Sequence, residues 1–197
     1  KVNPGNDLIS ELAQVEDGGD RLSPHELIAT CVLLLNAGHE ASVNGLGNGM
    51  VAALDRPDQI GILRRDPIGK SQSAIEEFLR FDSPLHLFER TAVVDTEIGG
   101  VTIPAGHKIA ALIGSANRDE TVFAHADEMD LERDPNPHIG FGAGIHFCIG
   151  APLARMEMSV ALPALMTRFP NIELSAAPTS RGTFVLRGWA KVPISLD

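Results

Sequence analysis

Phe141-Gly142-Ala143-Gly144-Ile145-His146-Phe147-Cys148-Ile149-Gly150 places a cysteine at the end of a glycine-rich loop. The next residues, Ala151-Pro152-Leu153-Ala154-Arg155-Met156-Glu157, read as the first turns of a helix, with Pro152 near its first position. Backbone N–H groups at a helix start, and the helix dipole, favour negative charge on a sulfur placed there. The thiolate is the form of cysteine that acts as nucleophile or metal ligand. The glycines allow the backbone to approach something flat or bulky. The competing reading is a structural cysteine buried beside a tight turn.

Bulk properties narrow the classes. The chain has 197 residues, 44% of them hydrophobic, enough for one sizeable core or two small ones. Its formal net charge is −10, which argues against nucleic acid as the main partner. Cys31 and Cys148 are the only cysteines and lie far apart, so there is no disulfide framework and no four-cysteine metal site. This usage fits a reducing cytosol. The best apolar run, Leu27 to Leu35, is well short of the ~18 residues of a membrane span. Lys1-Val2-Asn3-Pro4 shows neither a signal peptide nor an initiator methionine, so we expect a piece of a longer, cytoplasmic protein.

Along the chain, Leu8, Ile9, Leu12 and Val15 predict a helix over 8–17, ended by Gly18-Gly19-Asp20. Ser23-Pro24-His25-Glu26 is a capping box opening a long apolar helix to about Leu54, closed by Arg56-Pro57. A short helix is expected over 58–64, and another, capped by Ser71 or Ser73, to about Phe81. Strands are expected over 86–94, 101–103 and 108–113, with Gly99-Gly100 as a turn. Residues 114–140 read as irregular, which in a compact domain points to a functional or wrapping segment. A helix over 152–168 and short strands at 184–187 and 192–196 complete the chain. The fold class is mainly α with small segregated β-sheets.

Two further segments stand out. The long helix carries Asn36-Ala37-Gly38-His39-Glu40-Ala41-Ser42 and then Gly45, Gly47 and Gly49, although each interior glycine costs about 1 kcal/mol against alanine. Close helix–helix packing is one explanation. Glu77-Phe78-Leu79-Arg80 sets a carboxylate and a guanidinium at i and i+3, by itself an ordinary solvated pair.

The decapeptide resembles the haem-binding loop of the cytochrome P-450 family, F-G-x-G-x-H-x-C-x-G, and fills every fixed position. In this family haem iron is held by a cysteine thiolate. The resemblance runs in order along nearly the whole chain. It implies that 1–197 is the C-terminal, haem-binding portion of such a protein, with the N-terminal half absent. Haem b would bind through the Cys148 thiolate, cradled by Phe141, Gly142 and Gly150, with Arg90 and His146 pairing its propionates. Ala37, Gly38 and Glu40 are similar to the family's oxygen-binding groove, A-G-x-[E/D]-T, but Ala41 stands at the threonine and Ser42 follows. Glu40, Ala41 and Ser42 are therefore the candidate catalytic positions. Glu77-x-x-Arg80 matches the family's E-x-x-R, implying a buried structural network completed by Arg133. Asn117-Arg118-Asp119 and Phe123 also fit, while Glu120 and Ala126 replace two usual prolines. Leu33, Asn36, Ala37, His86 and Val185 are the implied substrate-pocket positions. The other histidines, including His138, read as surface or loop residues.

The implied function is a haem-thiolate monooxygenase. It would insert one oxygen atom of dioxygen into a C–H bond of a small organic substrate, using NAD(P)H electrons through a ferredoxin or flavodoxin with its reductase. The competing expectations are a haem-free, non-catalytic fragment and a peroxide-using peroxygenase. The missing half, or a dimer partner, would cover the surface that half leaves open.

Overall fold

The computed structural model describes residues 3–17 and 19–196, and divides into two compact units, residues 1–40 and 41–197. In the first, α1 (Leu8–Leu12) starts at Asp7, whose side chain accepts from the Ser10 N–H at 2.9 Å. Two-residue strands β1 (Glu16–Asp17) and β2 (Asp20–Arg21) then pair antiparallel. The helix expected over 8–17 therefore ends early. None of its residues is buried, so no packing extends a helix too short to be stable alone. Gly18, expected to end it, lies outside the described residues. The long helix α2 (Pro24–Leu54) opens as expected: Ser23 N–H donates to Glu26 Oε2 at 2.8 Å and Glu26 N–H to Ser23 Oγ at 3.3 Å.

The second unit takes α2 onward from Ala41, then α3 (Pro57–Arg65) and α4 (Ser71–Phe81). Strands β3 (Leu87–Thr91), β4 (Thr96–Ile98), β5 (Val101–Ile103) and β6 (Lys108–Leu112) follow, then the short α5 (Ile113–Ala116) and the long α6 (Ala151–Arg168). The tail adds β7 (Glu173–Leu174), β8 (Thr179–Ser180), β9 (Trp189–Lys191) and β10 (Ile194–Ser195). All pairings are antiparallel ribbons: β3 with β6, β4 with β5, β8 with β9, and β7 with β10. The β4–β5 turn is Gly99-Gly100, both at positive φ (58° and 78°), where glycine meets no steric penalty.

Several expectations change. Neither Ser71 nor Ser73 caps α4: the cap is Lys70, and Ser71 Oγ instead donates to the Ile68 carbonyl at 2.9 Å. Residues 184–187 form no strand, only a Leu85–Leu186 bridge, because the tail ribbons use 179–180 and 189–191. β4 was not anticipated as a strand.

The core joins α2, α3, α4 and α6 through Ala53, Leu63, Ala74, Phe78 and Leu162, all fully buried, with Met129 and Leu131 from the irregular stretch. Of the glycines in α2, Gly49 shows a close helix crossing: a Cβ there would stand 2.0 Å from the Phe78 ring. At Gly38 and Gly47 a Cβ would meet nothing within 4 Å among the described residues.

Candidate active site

The cysteine loop is built by its backbone. Cys148 N–H donates to the Phe141 carbonyl at 3.0 Å, drawing the loop shut at its base, and Ala151 N–H donates to the Cys148 carbonyl at 3.2 Å. Between these ties, Gly142 (φ 74°) and Gly144 (φ 67°) occupy the left-handed region that side chains disfavour. A single 3-10 turn, Gly144–His146, reverses the chain, and Phe147 N–H closes it onto the Gly144 carbonyl at 3.0 Å. Gly150 has αR geometry (φ −83°), and a Cβ there would rest 3.8 Å from Cys148 Sγ, an ordinary contact. The loop therefore needs a glycine at 142 and 144 more than at 150.

Cys148 is half-buried and in no disulfide, just before the 18-residue α6. Around it the loop exposes apolar side chains: Ile145 at 97%, Ile149 at 91% and Phe147 at 52%. Phe141 faces inward against the core and meets the Phe147 ring at 6.4 Å between centroids. His146 is exposed on the 3-10 turn. Arg90 is exposed on β3, donating to the Glu89 carbonyl at 2.8 Å with its guanidinium 5.6 Å from the Phe88 ring. No helix among the described residues is long and apolar enough to cross a membrane.

Behind the loop lies a second, buried constellation. Glu77 and Arg80 are 0% and 1% exposed. The guanidinium grips the carboxylate with Nε to Oε2 at 2.8 Å and a terminal nitrogen to Oε1 at 2.7 Å. Arg133 Nε adds a contact to Oε2 at 3.2 Å, Asn136 Nδ2 one at 3.1 Å, and Asp130 N–H donates to Oε1 at 2.8 Å. Arg80 also donates to the carbonyls of Asn117, Ala126 and Glu128 at 2.8–2.9 Å. Arg133 reaches those of Ala124, His125 and Glu128 at 2.8–3.3 Å. The stretch is outside any sheet or long helix, so the guanidiniums satisfy carbonyls that a ladder would otherwise serve; the His125 carbonyl also accepts the Glu128 N–H at 3.0 Å. Asn117 spans the same stretch, donating to Ser83 Oγ at 2.8 Å and accepting from Ile139 N–H at 2.8 Å.

The positions proposed for substrate and oxygen divide between the units. Leu33, Asn36, Ala37 and Glu40 lie on α2 in the first, Ala41 and Ser42 on α2 in the second. His86 and Val185 are brought together: His86 N–H donates to the Val185 carbonyl at 2.9 Å, and the Phe184 ring stands edge-on at 5.8 Å. His86 also lines a cavity of about 650 Å³ whose wall is mixed, with Val51, Phe81 and Trp189 beside the charged Asp82, Arg118 and Arg187.

One trio of residues, Glu76, His138 and Arg155, escaped the sequence. Glu76, beside Glu77, accepts from Arg155 Nε at 2.6 Å and from a terminal Arg155 nitrogen at 2.8 Å, and lies 2.8 Å from His138 Nε2. His138, expected on the surface or in a loop, lies in a loop, but its side chain is only 2% exposed. The partners of Glu76, His138 and Arg155, lie 62 and 79 residues away, so no local spacing could announce them.

Among the described residues, no group of three or more His, Cys, Asp or Glu could hold a bare metal ion. The exposed apolar loop suits the face of a flat prosthetic group, and Arg90 and His146 suit its carboxylates, so these residues fit haem. A family profile described as cytochrome P450 matches residues 71–186.

The chain belongs to the cytochrome P450 family.

Its relatives agree. It is 42% identical over 201 residues to the 6-deoxyerythronolide B hydroxylase of Saccharopolyspora erythraea, covering 100% of this chain and 50% of that protein. The vitamin D(3) 25-hydroxylase of Pseudonocardia autotrophica gives the same identity and coverage, 42% over 201 residues, with 100% of this chain and 50% of that one. The structure of the P450 PksS from Bacillus subtilis superposes with a TM-score of 0.93 at 42% identity, over 100% of this chain and 51% of that one. The chain thus spans about half the length of the curated P450s it matches.

Proposed function

We propose that this chain is the haem-carrying portion of a P450 monooxygenase that inserts one oxygen atom of dioxygen into a C–H bond of a small organic substrate. The observation that carries this reading is the free, half-buried Cys148 at the start of α6, in a loop closed by the Phe141–Cys148 hydrogen bond. Haem, when bound, supplies the activation of dioxygen. The chain's own residues do the rest. The Cys148 thiolate binds the iron, Arg90 and His146 take the propionates, and Phe141 and Gly142 hold the loop. Glu77, Arg80 and Arg133 keep residues 114–140 in register behind it. Leu33, Asn36 and Ala37 in the first unit, and His86 and Val185 in the second, are the candidate substrate positions. Electrons come from NAD(P)H through a ferredoxin or flavodoxin, and the setting is cytoplasmic. That two relatives are named as hydroxylases supports the reaction class.

Glu40, Ala41 and Ser42 would serve proton delivery. Alanine can neither donate nor accept a hydrogen bond, and Ser42 is turned about 100° around the helix from position 41. A substrate hydroxyl or an ordered water then completes the relay. In the full-length enzyme, Ala41→Thr is expected to change the coupling of NADPH consumption to product. If Ser42→Ala uncouples the enzyme and Ala41→Thr does nothing, Ser42 is the relay. Ala41 also permits a second reading, direct use of peroxide, which faster turnover with peroxide than with redox partners would establish.

The deciding experiment for haem ligation is the reduced carbonyl spectrum of the full-length protein. Cys148→Ala is expected to abolish the red-shifted Soret band of thiolate ligation, and Cys31→Ala to leave it. A band that persists in Cys148→Ala sinks the assignment.

A further inference from the structure

We infer that Glu76 is a positioning residue for the cysteine loop, holding the segment that enters it through His138 and the helix that leaves it through Arg155. The functional meaning of this rests on Cys148 being the haem ligand; the geometry does not.

Glu76 and Glu77 are neighbours on α4, about 100° apart around its axis. Glu77 is spent on Arg80, Arg133 and the irregular stretch. Glu76 faces the loop. Its bidentate pair with Arg155 fastens the first turns of α6, seven residues past the cysteine. The same guanidinium lies 4.5 Å from the centroid of the Phe141 ring, and the Phe141 carbonyl accepts the Cys148 N–H at 3.0 Å. On the entering side, His138 Nδ1 accepts the Gly140 N–H at 3.1 Å, leaving the ring proton on Nε2 to be donated to Glu76. Gly140 is pressed against α4 as well: a Cβ there would stand 3.0 Å from the Leu79 carbonyl. One carboxylate therefore ties both ends of the loop to a single helix. Burial alone would raise the Glu76 pKa, but the hydrogen bonds from Arg155 and His138 overcome it and hold the carboxyl down at about 2.

A general loss of stability would loosen the whole chain, whereas a positioning role loosens one segment. Hydrogen exchange on the 197-residue chain separates the two. Glu76→Gln is expected to speed exchange across residues 138–150, where Gly140, Gly142 and Cys148 donate, by about tenfold, while residues 118–133 change by less than about twofold. Arg155→Lys, which keeps the charge but not the bidentate grip, is expected to give the same pattern more weakly. It carries the test if Glu76→Gln does not fold. Glu76→Asp is expected to recover part of the protection. Unchanged exchange over 138–150, or an equal rise everywhere, overturns the inference. Neither result depends on haem, so failure here is distinct from failure of the Cys148 spectrum, which would leave Glu76 holding a loop without a ligand.

Discussion

Two regions of this P450 chain invert the usual order of inside and outside, in opposite senses. Behind the loop, Glu77 and Arg80 are fully buried charges. At the loop, Ile145 and Ile149 are almost fully exposed hydrophobics. The buried charges are tolerable because every arm is occupied by carboxylate, guanidinium or backbone carbonyl, and the segment they hold has few hydrogen bonds of its own to offer. The exposed hydrophobics leave an apolar face that a flat apolar group would cover favourably. The haem implied by the family would be one such cover. Burial in this protein follows the available partner rather than the polarity of the residue.

The largest effect should come from breaking the buried side. Glu77→Ala removes one partner of a desolvated network and leaves Arg80 and Arg133 without their carboxylate, at a cost of about 3–5 kcal/mol. Insoluble or unfolded protein is the expected result. A well-folded Glu77→Ala chain in a urea melt would place the pair in the class of weak surface contacts.

Next comes the open side. The 197-residue chain alone is expected to take up haem weakly, since an uncovered site leaves much of the porphyrin in water and forgoes about 25 cal/mol for each Å² of apolar area not buried. Titration with hemin measures this. Tight stoichiometric uptake would mean that the chain closes the site by itself or by pairing with a second copy.

A smaller effect is set by pH. The Glu76 carboxyl is lowered from the usual 4.5 to about 2 in the folded chain. A depressed carboxylate contributes stability that is complete above its unfolded pKa and is lost as pH falls through the folded one. The contribution is thus present above about pH 5 and fades toward pH 2, on the order of 1–2 kcal/mol once solvent screening of a half-buried group is allowed for. The stability difference between the parent and Glu76→Gln should shrink over that range. A difference that stays constant would show that the ion pair is not its source.

The smallest effect concerns a single exposed side chain. Ile145→Ser should change the stability of the haem-free chain by less than about 0.5 kcal/mol, because Ile145 is 97% exposed. A larger loss in a thermal melt would show that the loop packs against something in solution.

Much of this was legible in one dimension because the relevant signals are local. The cysteine loop declares itself within ten consecutive residues. The capping box at Ser23 and Glu26 and the start and end of α2 follow from hydrogen-bonding rules that span one helical turn. The class of the fold, helices with small separate ribbons, follows from hydrophobic period and turn residues. The weakest local signals failed: α1 stopped at Leu12, and Ser71 turned to the Ile68 carbonyl instead of capping α4. Where a short helix ends depends on what packs on it.

Tertiary structure alone decided the rest. From sequence, Glu77 and Arg80 are any i, i+3 pair; only the approach of residues 117–136 withdraws them from water and makes the pair costly to break. Gly49 reads as one glycine among several, and only the Phe78 ring lying against it makes a side chain impossible there. Glu76 shows the difference most clearly. It differs from Glu77 by one position and about 100° of helical rotation, and that rotation sends one carboxylate to the irregular stretch and the other to His138 and Arg155 at the two ends of the cysteine loop. The identity of a side chain is written in the sequence, but the partner that sets its burial, charge state and role lies tens of residues away and is found only by folding.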